Sequence, residues 1–229
     1  MKTYKDITYN LKRSDRKTAS IYIERDGEVS LFVPKWIDDQ QIEELIESKR
    51  KWIYTNLAEW EDLNATRVDR EFVNGEGFLY LGRSYRLKIV ADQDVPVKLL
   101  SGYFCLRSSE DDSIESADLF KAFYRQKGRE RIPERVALYQ ASMGVSAASI
   151  KVQELQNRWG SCTPTGGLSF HWKAMMAPLS VIDYIVVHEL AHLKHLNHTT
   201  EFWNEVDKAL PDYRERKEWL RVNGAGMDL

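Results

Sequence analysis

Apolar and polar residues alternate over 21–23 and again over 29–33, on either side of Asp26-Gly27. A period of two marks half-buried strands, and Asp-Gly between two such runs predicts a tight hairpin turn. After Pro34 the period changes. Ile42, Leu45, Ile46, Trp52, Ile53 and Leu57 recur at three- and four-residue spacing, which predicts a helix near 38–62 with Asp38 as its N-cap. Short strand runs return at Phe72-Val73, 78–81 and 85–90, punctuated by Gly75, Gly77 and Gly82. Two more, 97–100 and 103–106, flank a turn at Ser101-Gly102.

An acidic stretch, Glu110-Asp111-Asp112-Ser113, separates these strands from a helical pattern over about 115–143. Its expected core face is Leu119, Phe120, Phe123, Ile132, Val136, Leu138 and Tyr139, and Pro133 is expected to kink or split it. Strands follow at 150–155 and 167–172. A helix then begins close to Ser180, with Asp183 completing a capping-box-like start, and a short helix over 202–210 is ended by Pro211. No internal repeat is visible. The pattern is that of an α+β chain, with a strand-rich N-terminal subdomain over 1–110 that contains one long helix, and a second domain over 111–229.

With 43% hydrophobic and 30% charged residues among 229, the chain has the balance of an ordinary globular protein. The formal net charge of −2 gives no overall field for nucleic acid or an anionic membrane. The local cluster of Lys12, Arg13, Arg16, Lys17 and Arg25 reads as a solvated strand face and turn. Two cysteines, Cys105 and Cys162, exclude a disulfide framework and fit a reducing cytosol. The first residues lack the apolar core of a secretory signal, and no apolar run is long enough for a membrane span. These features together predict a soluble, cytoplasmic protein.

The chemistry concentrates late in the chain. His188, Glu189 and His192 form an H-E-x-x-H motif within an apolar helical run. Four residues apart on one helix, the two imidazoles face one side, one turn apart, and can reach a single ion. Glu189 follows the first ligand and leans toward a metal-activated water without binding the metal, the position of a general base. Zinc suits nitrogen ligands and keeps one position open in catalytic sites. For the third ligand, His195 would sit roughly 10 Å along an unbroken helix from His188, too far to surround one ion. If the helix ends near Asn197, His198 approaches from a third direction, so the spacing favours His198 and leaves His195 a supporting or surface role. Four of the five histidines fall within 188–198, which chance placement does not explain. A fourth ligand from Cys162 would instead make the site purely structural.

The motifs NRWGSC (157–162), LSFHW (168–172), APLSVIDYIVVHELAHL (177–193) and NHTTEFW (197–203) resemble the YgjP-like family of zinc metallopeptidases, relatives of SprT-like proteins. VPKW (33–36), SKRKWI (48–53) and YLGRSYRL (80–87) extend the resemblance over nearly the whole chain. It implies a zincin-like, minigluzincin-type core with the active-site helix beside a small sheet. It also implies zinc on His188, His192 and His198, Glu189 as general base, and a peptide or protein substrate.

Around the motif several side chains have two readings. The strand over 167–172, with Ser169 and His171, is either an edge that pairs with extended substrate or a plain core strand. Arg158 and Trp159 either contact substrate or form an ion pair and packing. Tyr184 either polarises substrate or packs. Phe202 and Trp203 are read as packing under the site, and Asn197 and Asp207 as acceptors that orient the ligand histidines. The leading function is a zinc peptidase. One alternative is a metal-dependent phosphoanhydride hydrolase, which needs Arg13, Arg16 and Arg158 at the metal. Another is a non-catalytic zinc-stabilised module for protein or DNA-associated partners.

Overall fold

The computed structural model describes residues 1–23, 27–64, 70–108, 115–155 and 158–229, with backbone alone over 59–64. Arg25, Asp26, the acidic stretch at 110–113 and Asn157 lie outside the described residues. The chain divides into two compact units, Met1–Arg67 and Val68–Leu229.

In the first unit, strands β1 (Lys2–Tyr4), β2 (Ile7–Ser14), β3 (Ser20–Ile23) and β4 (Val29–Pro34) precede helix α1 (Asp39–Asn64). The sheet order is β1-β2-β4-β3, with β2 and β4 parallel and the other pairs antiparallel. Tyr9, Val29, Leu31 and Val33 bury one sheet face against Ile42, Ile46 and Ile53 of α1. The helix starts where the pattern placed it. Gln41 N–H donates to Asp38 Oδ1 at 2.8 Å and Asp38 N–H donates to Gln41 Oε1 at 3.2 Å, a reciprocal box that satisfies two backbone donors.

The second unit opens with β5 (Gly77–Tyr80), β6 (Arg83–Val90), β7 (Val97–Leu100) and β8 (Tyr103–Arg107), followed by α2 (Ser116–Met143). Its order, β5-β6-β8-β7 with β6 and β8 parallel, repeats the first unit strand for strand, again ahead of a long helix. The sequence shows no such repeat. Phe78 stacks on Phe120 with ring centroids 4.4 Å apart, and Phe104 lies 5.3 Å from both Phe120 and Phe123. These strands therefore belong with α2, and the division falls between Arg67 and Val68 where the pattern had suggested residue 110. Phe72-Val73 is not a strand, and Phe72 has a φ of 55°. α2 runs unbroken through Pro133 and ends on left-handed Gly144, but Leu138 turns outward at 55% exposure.

Three strands, β9 (Ser149–Gln153), β10 (Gly160–Cys162) and β11 (Gly167–His171), form a second sheet of order β10-β11-β9. A 3-10 turn over Trp172–Met176 leads to α3 (Leu179–Ala191), α4 (Thr200–Ala209) and α5 (Tyr213–Asn223). α3 does not start on a Ser180–Asp183 box; its N-cap is Pro178. Asp183 is buried and accepts from Arg135 Nε and Nη2 at 2.6 and 2.8 Å and from Tyr139 Oη at 3.0 Å, which ties α3 to α2. The β5–β6 turn holds the other end of the approach to α3. Leu81 and Gly82 N–H groups donate to the Met175 and Met176 carbonyls at 2.9 and 3.0 Å. Gly82 combines a φ of 77° with a contact so close that a Cβ would stand 2.7 Å from the Pro178 ring, so only glycine fits there. Among the described residues no helix is long and apolar enough to cross a membrane.

Candidate metal centre

α3 ends at Ala191, well before Asn197. The N–H groups of Leu193 and Lys194 bond to carbonyls three residues back, at Leu190 and Ala191, the tightened spacing that closes many helices. Asn197 is not left-handed. The early stop gives the chain seven residues in which to turn, and it returns His198 to His188 with their Nε2 atoms 3.0 Å apart. One ligand nitrogen from each of His188, His192 and His198 lies within 4.8 Å of the others. Two nitrogens held at about 2.0–2.1 Å by one tetrahedral ion stand about 3.3 Å apart, so this donor set and spacing fit zinc.

His192 Nδ1–H donates to the His195 carbonyl at 3.0 Å. A carbonyl only accepts, so the proton is on Nδ1 and the Nε2 lone pair is free for a metal. His195 thus contributes its main chain. Burial pushes His188 down to about 3, helped by the positive charge that His192, His198 and Lys217 can carry, so its ring is neutral as a ligand must be. Beneath the three imidazoles lies fully buried Phe202 of α4, its ring 5.0, 4.6 and 4.7 Å from those of His188, His192 and His198. Trp203 stacks on His198 at 5.7 Å, and is itself stacked by Tyr213 at 5.4 Å and covered by Lys217 Nζ at 4.6 Å. Tyr184 is buried with its ring 5.9 Å from His188. Asn197 is exposed, and Asp207 sits 4.0 Å from Arg214, so neither is placed as the expected histidine acceptor.

Glu189 is 4% exposed, and its Oε2 has no hydrogen-bond partner among the described residues. Burial raises its carboxyl to about 8, against the opposing charge of Arg158. It packs directly on Gly160 of β10, where a Cβ would stand 2.5 Å from Glu189 Oε1 and 2.6 Å from its Cγ. Sequence reasoning missed Gly160; its only signal is a glycine next to Trp159 in the NRWGSC run. Cys162, also on β10, is not in the histidine cluster; burial and the charge of Glu189 push its thiol up.

The expected substrate strand is corrected. β11 is central, paired with β10 on one side and β9 on the other, so β10 and β9 are the edges and β10 is the one that packs on Glu189. His171 is buried with both ring nitrogens engaged: Nδ1 accepts from Lys173 N–H at 3.1 Å and Nε2 lies 3.3 Å from Glu154 Oε1. Ser169 is half-buried and accepts from Gln153 at 3.4 Å across to β9. Arg158 is exposed, whereas Trp159 is half-buried with its ring 6.1 Å from His171.

Residues 17–223 match the YgjP-like metallopeptidase domain, and the chain belongs to the YgjP-like family. Membership makes it a hydrolase of the metallopeptidase class. None of the curated proteins matches it. Two solved structures are similar over 38% of this chain. One is the metallopeptidase zymogen abylysin of Pyrococcus abyssi, 22% identical over 89% of its own chain, with a TM-score of 0.36. The other is the metallopeptidase zymogen jannalysin of Methanocaldococcus jannaschii, 21% identical over 90% of its chain, with a TM-score of 0.35.

Proposed function

We propose that this chain is a zinc-dependent peptidase that hydrolyses peptide bonds in peptides or proteins, with His188, His192 and His198 holding the metal and Glu189 as general base. The observation that carries the reading is the convergence of three imidazole nitrogens within 4.8 Å, beside a buried carboxylate on the same helix. When bound, zinc supplies a Lewis acid that polarises a carbonyl and acidifies water to a pKa of about 7. Glu189, held over Gly160, takes the proton of the attacking water and returns it to the departing amine. The charge of exposed Arg158 favours the ionised form of the Glu189 carboxylate. The open edge of β10 replaces β11 as the strand that pairs with an extended substrate.

No observation favours the phosphoanhydride reading. Arg13 pairs with Asp39 at 2.8 Å and Arg16 donates to Ser20 at 2.7 Å, so both are engaged within the first unit. The free thiols of Cys105 and Cys162 fit a reducing compartment, and we place the protein in the cytoplasm. Metal analysis tests the ligands: about one zinc per chain in the wild type, lost in His188→Ala. Glu189→Gln should keep its zinc and lose turnover in a screen of casein, peptides and nucleoside triphosphates. Turnover that survives this substitution, or that appears only on triphosphates, overturns the reading.

A further inference from the structure

A groove in the second unit shares no residue with the histidine cluster. It encloses about 480 Å³ between β7 and α2, walled by Val97 and Leu99 on one side and by Leu119 and Phe123 on the other. β7 is an edge strand, and among the described residues nothing pairs with its outer side. The two-residue turn Ser101-Gly102 makes Leu100 and Tyr103 the closing hydrogen-bonded pair of the hairpin. Alternation along an antiparallel ladder then turns Lys98 toward β8, and turns the N–H and C=O groups of Val97 and Leu99 away from it. The Pro96 carbonyl, which accepts from Arg107 N–H at 2.9 Å, keeps the same alternation. Unpaired backbone and a side-chain groove thus run together along one edge, the two components of strand addition.

The charge at this groove is unbalanced. Lys98 is paired with Asp94 at 2.6 Å and Lys127 with Glu130 at 2.8 Å. Arg131 is half-buried and its Nε donates to Tyr80 Oη at 3.0 Å; Glu130 feels its charge, but among the described residues no carboxylate forms an ion pair with it. A guanidinium with its Nη groups unengaged is suited to a carboxylate. The first unit has a smaller groove, about 270 Å³, at the matching place between β3 and α1, lined by Ile21, Leu45 and Trp52. A groove beside the edge strand is therefore a property of the repeated module, and Arg131 gives the one in the second unit its preference.

We propose that the β7–α2 groove binds an extended acidic polypeptide segment, which pairs with Val97 and Leu99, sets an apolar side chain between Leu99 and Phe123, and places a carboxylate on Arg131. The test is fluorescence anisotropy with the full chain carrying Glu189→Gln and the labelled peptide Thr-Val-Thr-Val-Thr-Glu-Thr, whose valines and glutamate share one face of the strand. Binding is expected below about 1 mM. Arg131→Gln, or glutamine for the peptide's glutamate, should each weaken it about tenfold, and the two together no further. Leu99→Pro removes an outward N–H without touching the β7–β8 ladder, and should also weaken binding about tenfold. If that variant fails to fold, N-methylation of alternate peptide residues blocks the same pairing. Absence of binding, or binding indifferent to Arg131→Gln or to blocked pairing, overturns the proposal. So does Arg131-dependent binding of decanoate without the peptide, since the groove would then hold a small amphiphile.

Discussion

Gly160→Ala is the most discriminating single change at the candidate centre. The added Cβ would lie 2.5 Å from Glu189 Oε1, 2.6 Å from Cγ and 2.7 Å from Cδ, where ordinary contact begins at 3.4 Å. Three atoms of one side chain are met at once, so a torsion of the carboxylate alone does not clear the clash. Glu189 or β10 must move by about 0.9 Å, the difference between 3.4 and 2.5 Å. Overpacking of this kind costs about 1–3 kcal/mol of stability. A displacement near 1 Å of a reacting group costs about 10²-fold in rate. The three imidazoles are packed on Phe202 of α4, and the clash meets the Glu189 side chain and not theirs, so zinc content should stay at the wild-type level. The assay is turnover of fluorescein-labelled casein by zinc-loaded protein, with metal content and melting temperature measured on the same sample. A Gly160→Ala chain that is folded and zinc-loaded, and cleaves within about twofold of wild type, would refute the assignment of Glu189 as a base positioned by Gly160.

Three further outcomes are expected. Trp203→Leu removes the ring that backs His198 and should weaken zinc binding about tenfold in competition with a chelating dye, leaving Glu189 untouched; unchanged affinity would count against Trp203 as a support. Asp183→Ala leaves Arg135 and Tyr139 without their shared acceptor and should cost about 3 kcal/mol in urea unfolding, against less than about 0.5 kcal/mol if the contact were a surface pair. Burial pushes His171 down to about 4, with Glu154 opposing. The fold therefore favours the neutral ring, and this contribution is complete above about pH 6.5 and lost as pH falls from 6.5 toward 4, at most about 3 kcal/mol. His171→Asn keeps an acceptor for Lys173 N–H and should flatten that slope in chemical unfolding; identical pH profiles for the two chains would remove His171 as the cause.

The long helices were legible because their signals are local. Asp38 and Gln41 announce the start of α1, and its isoleucines at 42, 46 and 53 are the ones buried. The histidine cluster was legible for the same reason, since it lies within eleven consecutive residues. β2 was not, because Ile7–Ser14 has one wet face and ends in polar residues. α5 was missed because its buried residues are few, Tyr213 and Leu220. Alternation over 167–171 announces a strand, but it does not tell a central strand from an edge, which is why Ser169 and His171 had both a substrate reading and a core reading. The Glu110–Ser113 stretch looked like a border because it is polar, whereas the border follows the aromatic packing of Phe78 and Phe104 on α2. Gly160 is legible only in three dimensions, because its reason is a neighbour 29 positions away.

The docking of Leu81-Gly82 against the Met175 and Met176 carbonyls bears on how this protein can be cut down. A catalytic fragment that began at residue 111 would strip two hydrogen-bond donors from the turn leading into α3, and would bare Phe120, Phe123 and Tyr124 to water. A fragment that begins at Val68 carries its own lid for those rings. The smallest piece to express, crystallise or graft onto another chain is therefore Val68–Leu229, with the β5–β8 sheet retained as part of the catalytic body.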